Sequence, residues 1–133
     1  MAYQQRKIPF VGDINSNPET KRVFEAAERG KLLVPRCNAC GKSHWYPRAI
    51  CPHCFSQDLA WNEASGRGTI YSFSVMRRAE VPYAMAYVTL EEGPTMMTNI
   101  VDCEFDSVKI GQPVTLRFVP SENGPPVPVF APA

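Results

Sequence analysis

Cys37-Asn38-Ala39-Cys40 and Cys51-Pro52-His53-Cys54 are two CxxC pairs with ten residues between them. A CxxC turn can aim two thiolates at one point, and two facing turns complete a tetrahedral shell. Four sulfurs at this spacing suit zinc, and the linker is long enough for a short hairpin between the turns. A catalytic zinc keeps one position open for water or substrate, so a shell closed by four cysteines predicts a structural ion. Iron in the same shell would make the chain an electron carrier. No second redox group is apparent in the sequence, which favours zinc. His44 and His53 rank below the cysteines as ligands, because His53 lies inside a turn and should point outward. With the metal set aside, Cys103 is the one remaining thiol, and both histidines lie in the cysteine-rich segment. No nucleophile–base constellation or phosphate-binding loop is recognisable; Gly66-Arg67-Gly68 is too short for a P-loop and reads as a tight turn or bulge.

The elements that must hold these cysteines can be read from the pattern around them. Residues 1–15 read as irregular, with Pro9 and Gly12. A helix follows, capped by Asn17 or Ser16, with Pro18 in its first turn and Glu19 at the positive end of its dipole. Gly30 ends it, between Arg29 and Lys31. Val23, Phe24 and Ala27 form a narrow apolar stripe on this helix, free to pack on the chain or on a partner. Leu32-Leu33-Val34 leads into the first cysteine turn. Trp45-Tyr46-Pro47 is expected in the hairpin between the turns, where Trp45, Tyr46 and Phe55 would form a miniature core. A segment of about 30 residues buries too little apolar surface to fold alone, and a metal is the usual remedy.

After Cys54 the chain turns to strands. Tyr71, Phe73 and Val75 alternate with serines and predict one apolar face. Residues 84–90 are apolar on both faces and predict a central, buried strand. Residues 95–101 read as the next strand, joined through Glu92-Gly93-Pro94. Val114, Leu116 and Phe118 share a face after the break at Gly111-Gln112-Pro113. Cys103 reads as a small buried thiol at a strand end. Short strands with glycine turns imply a small closed barrel. The proline-rich end, 124–130, can at most form an edge strand, lie against another protein or remain a disordered tail. The expected division is an arm and helix over 1–31, a metal ribbon over 32–60 and a barrel over 61–133.

Charge narrows the function classes. The net charge is +1, from 14 basic and 13 acidic side chains. Residues 1–60 carry nine basic against five acidic side chains, and 61–133 five against eight. A single-stranded nucleic-acid binder would use basic grooves and stacking aromatics, here Tyr71, Phe73 and Tyr87. The acidic balance of the barrel speaks against that alternative. No apolar run approaches the ~20 residues that span a bilayer, and residues 1–11 lack a signal-like apolar core. The expectation is a cytoplasmic protein, where reduced thiols favour metal over disulfides.

Phe24-Glu25-Ala26-Ala27-Glu28-Arg29-Gly30-Lys31-Leu32 runs into Arg36-Cys37-Asn38-Ala39-Cys40-Gly41. Pro47-Arg48-Ala49-Ile50-Cys51-Pro52-His53-Cys54, then Trp61, then Ser65-Gly66-Arg67-Gly68-Thr69-Ile70-Tyr71-Ser72-Phe73-Ser74-Val75 complete an ordered set. Over residues 18–130 this set resembles the DUF35 family, whose members join a rubredoxin-like zinc ribbon to a five-stranded OB-fold barrel. The resemblance implies a mainly β protein with an N-terminal helix. It implies a non-catalytic subunit of an acyl-CoA-processing complex, most often with a thiolase-type enzyme and also with hydratases and aldolases. Such a subunit docks to the catalyst and shapes or bridges its acyl-CoA site, so a CoA thioester is expected at the interface. Phe24, Lys42, Arg67, Arg77 and Arg78 are the candidate contacts to partner or CoA; solvated strand ends are the plainer reading of the two consecutive arginines. One departure stands out. Rubredoxin-like turns often have glycine after the second cysteine; Gly41 fits, but Phe55 follows Cys54, which predicts a different backbone for the second turn.

Overall fold

The computed structural model describes residues 17–133. The predicted irregular arm, with Pro9 and Gly12, and the alternative cap Ser16 lie outside the described residues. Helix α1 spans Pro18–Glu28. The Asn17 side chain accepts the Glu19 N–H at 3.0 Å, and Pro18 opens the first turn without wasting a donor. Its buried side is Thr20, Val23, Ala26 and Ala27, while Phe24 is half-buried. Glu19 also reaches across to accept the Ala49 N–H at 3.0 Å, tying the helix start to the loop between the cysteine turns.

Strands β1 (Leu33–Cys37) and β2 (Leu59–Glu63) pair antiparallel, with Pro35 opposite Trp61. They flank both cysteine turns. The hairpin expected between the turns does not form: that segment offers one isolated bridge, Arg36 to Ser43. Pro47 lacks a donor there, and Trp45 is spent on packing against the barrel core. The strand partner of β1 comes from beyond the second turn instead.

Strands β3 (Arg67–Met76), β4 (Tyr83–Leu90), β5 (Thr95–Ile100), β6 (Pro113–Ser121) and β7 (Gly124–Pro132) close a barrel in the order β3-β4-β5-β7-β6. A one-turn 3-10 helix at Phe105–Ser107 lies between β5 and β6. The core joins Ile70, Ala84, Ala86, Val88, Leu90, Met96, Ile100, Val114 and Phe130, and Leu32 and Val34 of the ribbon belong to the same cluster. Val114, Leu116 and Phe118 face it together, as their spacing predicts. Gly68 permits the close β3–β4 contact: a Cβ there would stand 2.6 Å from Val88 Cγ1 and 2.8 Å from the Thr89 carbonyl oxygen.

Three expectations change. The strict alternation of β3 breaks at a β-bulge between Ile70 and Ser72, which turns Tyr71 out to 68% exposure and makes Ile70 the core residue; Phe73 and Val75 still face inward. Strand β4 is central but not buried on both sides. Ala84, Ala86, Val88 and Leu90 are buried, whereas Tyr83, Met85 and Tyr87 point outward, half-buried to exposed. The proline-rich end is a full barrel strand rather than an edge. The Pro128 carbonyl accepts Thr98 Oγ1 at 3.0 Å and the Phe130 carbonyl accepts the Val101 N–H at 2.9 Å, so even-numbered positions of β7 face β5. Pro126, Pro128 and Pro132 therefore lose donors only on that side. The β6 ladder stays intact through Val127, Val129 and Ala131, while β5 pairs with β7 at a single position, Ile100 with Phe130.

Candidate metal centre and apolar groove

The four ribbon cysteines converge. Their Sγ atoms all lie within 4.8 Å of one another, with Cys37 to Cys54 at 3.5 Å and Cys40 to Cys51 at 3.7 Å. A tetrahedron with Zn–S bonds of about 2.3 Å has edges of about 3.8 Å, so the set fits a zinc ion. These spacings are far beyond the ~2.05 Å of a disulfide, and all five cysteines are free thiols. Backbone donors support the sulfurs: Cys40 N–H to Cys37 Sγ at 3.5 Å and His53 N–H to Cys51 Sγ at 3.4 Å. The Cys40 N–H is the main reason the Cys37 thiol is pulled down to about 7. Cys54 moves the other way, to about 12. The Ser56 N–H favours its thiolate, but proton sharing with Cys37, burial and the other two thiols outweigh that donor. Four thiols this close cannot all ionise until a cation joins them.

The two turns are built alike. Gly41 N–H bonds the Cys37 carbonyl at 2.8 Å, and Phe55 N–H bonds the Cys51 carbonyl at 2.9 Å. Gly41 has φ 77° and Phe55 φ 66°. The different backbone expected at the second turn is thus absent: Phe55 adopts the left-handed conformation that Gly41 adopts freely. Phe55 is 78% exposed, so it is no part of a miniature core over the metal. Trp45 and Tyr46 do meet, edge to face, with ring centroids 5.6 Å apart.

The other candidate residues are dispersed. Arg67 makes a two-pronged ion pair with Glu91, at 2.7 and 3.2 Å, and Arg77 pairs with Asp106 at 2.9 Å while lying over the Phe105 ring. Both charges are committed within the chain. Lys42 and Arg78 are exposed, on the first cysteine turn and on the β3–β4 connection. Of the three stacking candidates, Phe73 packs against the core, while Tyr71 and Tyr87 face out. Cys103 is half-buried behind β5, and burial pushes its thiol up.

Phe24 leads to what the sequence reading missed. It lines a groove of about 670 Å³ between α1, the Trp45–Arg48 loop, the outer faces of β4 and β5, and β7. The groove opens where β5 and β7 fail to zip. Tyr87, Met97 and Phe118 supply apolar surface; among the described residues Lys31, which also lies 3.8 Å from Glu63, and Arg48 are the charged lining, and no carboxylate lines it. The signal was present in the outward Met85, Tyr87 and Met97, which read as strand burial rather than as a groove floor.

A zinc ribbon leading into an OB-fold barrel is the class of protein that this fold and cysteine site define. Family profiles agree in both parts: the rubredoxin-like zinc ribbon domain of ChsH2 matches residues 24–60, and the C-terminal OB-fold domain of ChsH2 matches residues 61–119. The chain belongs to the DUF35 (ChsH2-type) family. It is similar to a probable enoyl-CoA hydratase alpha subunit of Thermomonospora curvata, 39% identical over 83% of this chain and 36% of that protein. The chain thus spans about a third of that relative's length. A DUF35 domain-containing scaffold protein of Methanothermobacter thermautotrophicus is 37% identical over 75% of this chain and 81% of its own. The benzoylsuccinyl-CoA thiolase subunit BbsA of Geobacter metallireducens is 29% identical over 64% of this chain and 60% of its own. Among solved structures, an Ltp2-ChsH2(DUF35) aldolase superposes with a TM-score of 0.77 at 37% identity, covering 87% of this chain and 95% of that one. Among the described residues, no helix is long and apolar enough to cross a membrane.

Proposed function

We propose that this chain is an accessory, zinc-binding subunit of an acyl-CoA-processing complex, docking to a catalytic subunit and shaping or bridging its acyl-CoA site. The observation that carries the reading is the likeness of the joined ribbon and barrel, at 37% identity, to the DUF35 chain of an aldolase. Relatives named as a hydratase subunit, a thiolase subunit and scaffold proteins point the same way. The partner is an acyl-CoA enzyme, with a thiolase-type enzyme as the specific proposal. Zinc sits on Cys37, Cys40, Cys51 and Cys54, where it supplies stiffness rather than chemistry, and the protein works in the cytoplasm. A CoA thioester fits the groove beside α1: the apolar lining suits its acyl and pantetheine portions, and Lys31 and Arg48 suit its phosphates. Native co-purification with mass spectrometry tests this. The expected result is zinc in the purified protein and a co-eluting acyl-CoA enzyme. Recovery of the chain alone from cells that make its partners would overturn the reading.

A further inference from the structure

The two cysteine turns act as controls for each other. In each, the N–H of the residue after the second cysteine bonds the carbonyl of the first, and that same residue turns left-handed to lead the chain away. Glycine does this freely and occupies the position in the first turn. Phenylalanine is among the residues least suited to it, because its Cβ crowds the following carbonyl. Among the described residues nothing offsets that strain, since Phe55 is 78% exposed and buries little apolar surface. The ring is held out from a turn closed by two backbone bonds, Phe55 N–H to the Cys51 carbonyl and Cys51 N–H to the Ser56 carbonyl, both at 2.9 Å. Ile50, just before the second turn, is exposed as well, at 45%. A rigidly presented aromatic side chain that costs its own domain stability is the form an interface anchor takes.

We propose that Phe55 is the anchor with which the zinc ribbon docks, its ring entering an apolar pocket on the catalytic subunit. This rests on the accessory-subunit reading above. A second copy of this chain is the poorer occupant. Its apolar groove would receive the ring head to tail, a contact that does not close on itself and would chain molecules into filaments.

The test takes the full chain and the catalytic subunit that co-purifies with it, and measures their Kd for wild type, Phe55→Gly and Phe55→Leu. Phe55→Gly should raise Kd at least about tenfold, and Phe55→Leu should stay within about threefold, as for an apolar anchor. Zinc content should be unchanged in both, and the Tm of Phe55→Gly should hold or rise. An unchanged Kd for Phe55→Gly overturns the anchor, as does a fall in its Tm or zinc content, which would make the ring structural. Loss of self-association instead of partner binding, or loss of single-stranded oligonucleotide binding with the complex intact, assigns the ring elsewhere and overturns it too. If the wild type captures no acyl-CoA enzyme, the functional reading itself fails. If it does, and Phe55→Gly binds equally well, only the anchor fails.

Discussion

His44 is 3% exposed, and among the described residues neither ring nitrogen has a hydrogen-bond partner of good geometry, the Arg48 backbone offering only a weak one. Burial holds its pKa below the usual 6.5, with the charges of His53 and Arg48 adding to the effect, and only the Arg48 backbone opposes it. The folded chain therefore takes up a proton on this imidazole only at a lower pH than the unfolded chain, which binds it near the ordinary histidine value. Stability from this group is complete above that value and falls as pH drops through it toward the lower folded value. A leucine of similar size has no proton to refuse and no nitrogen to leave unpaired. The Tm loss between about pH 7.5 and about pH 5.5 should be smaller in His44→Leu than in wild type. Zinc content has to be followed in parallel, because the cysteine thiolates also take up protons on acidification. Equal Tm losses with zinc retained in both would show that His44 does not contribute.

At the scale of elements, strand β3 sets what the barrel can tolerate. Its bulge places Tyr71 and Ser72 against the single residue Tyr87, and beyond it Phe73 and Val75 resume the inward face. Deleting Tyr71 would restore a regular ladder with Ile70, Phe73 and Val75 still inward, at the cost of the bend. Deleting Ser74 would reverse Val75 and Met76, turning an apolar contact out and a solvated one in. The Tyr71 deletion should melt cooperatively at a lowered Tm, and the Ser74 deletion should fail to give a soluble folded protein. Comparable behaviour of the two in thermal melts would refute the bulge as the source of the register. This strand also shows where sequence patterns stop. Alternation reveals that β3 is a strand, but an extra residue in a ladder leaves no mark in one chain read alone, so Tyr71 reads as core. The cap at Asn17, the face of Val114, Leu116 and Phe118, and the cysteine cluster were legible, because each is fixed by local chemistry or strict spacing. The closure by β7 was not. Whether prolines break a ladder depends on which side their missing donors face, and that is set by the register with β6. The left-handed Phe55 was equally hidden, because the demands of the metal shell override its local preference.

For the molecule as a whole, the decisive fact is that ribbon and barrel share one core. Leu32 and Val34 lie in the cluster with Ile70, Val88 and Phe130, and Trp45 packs against it from the loop between the cysteine turns. Stripping the zinc removes the restraint that holds β1 against β2, and with it the placement of Leu32 and Val34 over the barrel. A barrel that stood alone would keep its melting transition under chelation; this one should not. Treatment with a strong zinc chelator should lower the Tm by about 10 °C or more, with the signal from Trp45 and Trp61 and the strand signal of the barrel moving in one transition. Leu32→Ala should act in the same direction with the zinc still bound. Its side chain is 2% exposed, and truncating a buried leucine costs about 2–5 kcal/mol. Two separate transitions, with the barrel's unmoved by either change, would mean that the ribbon is an appendage. One shared transition would mean that the metal stiffens the whole surface offered to a partner, the groove beside α1 as well as the turn that carries Phe55.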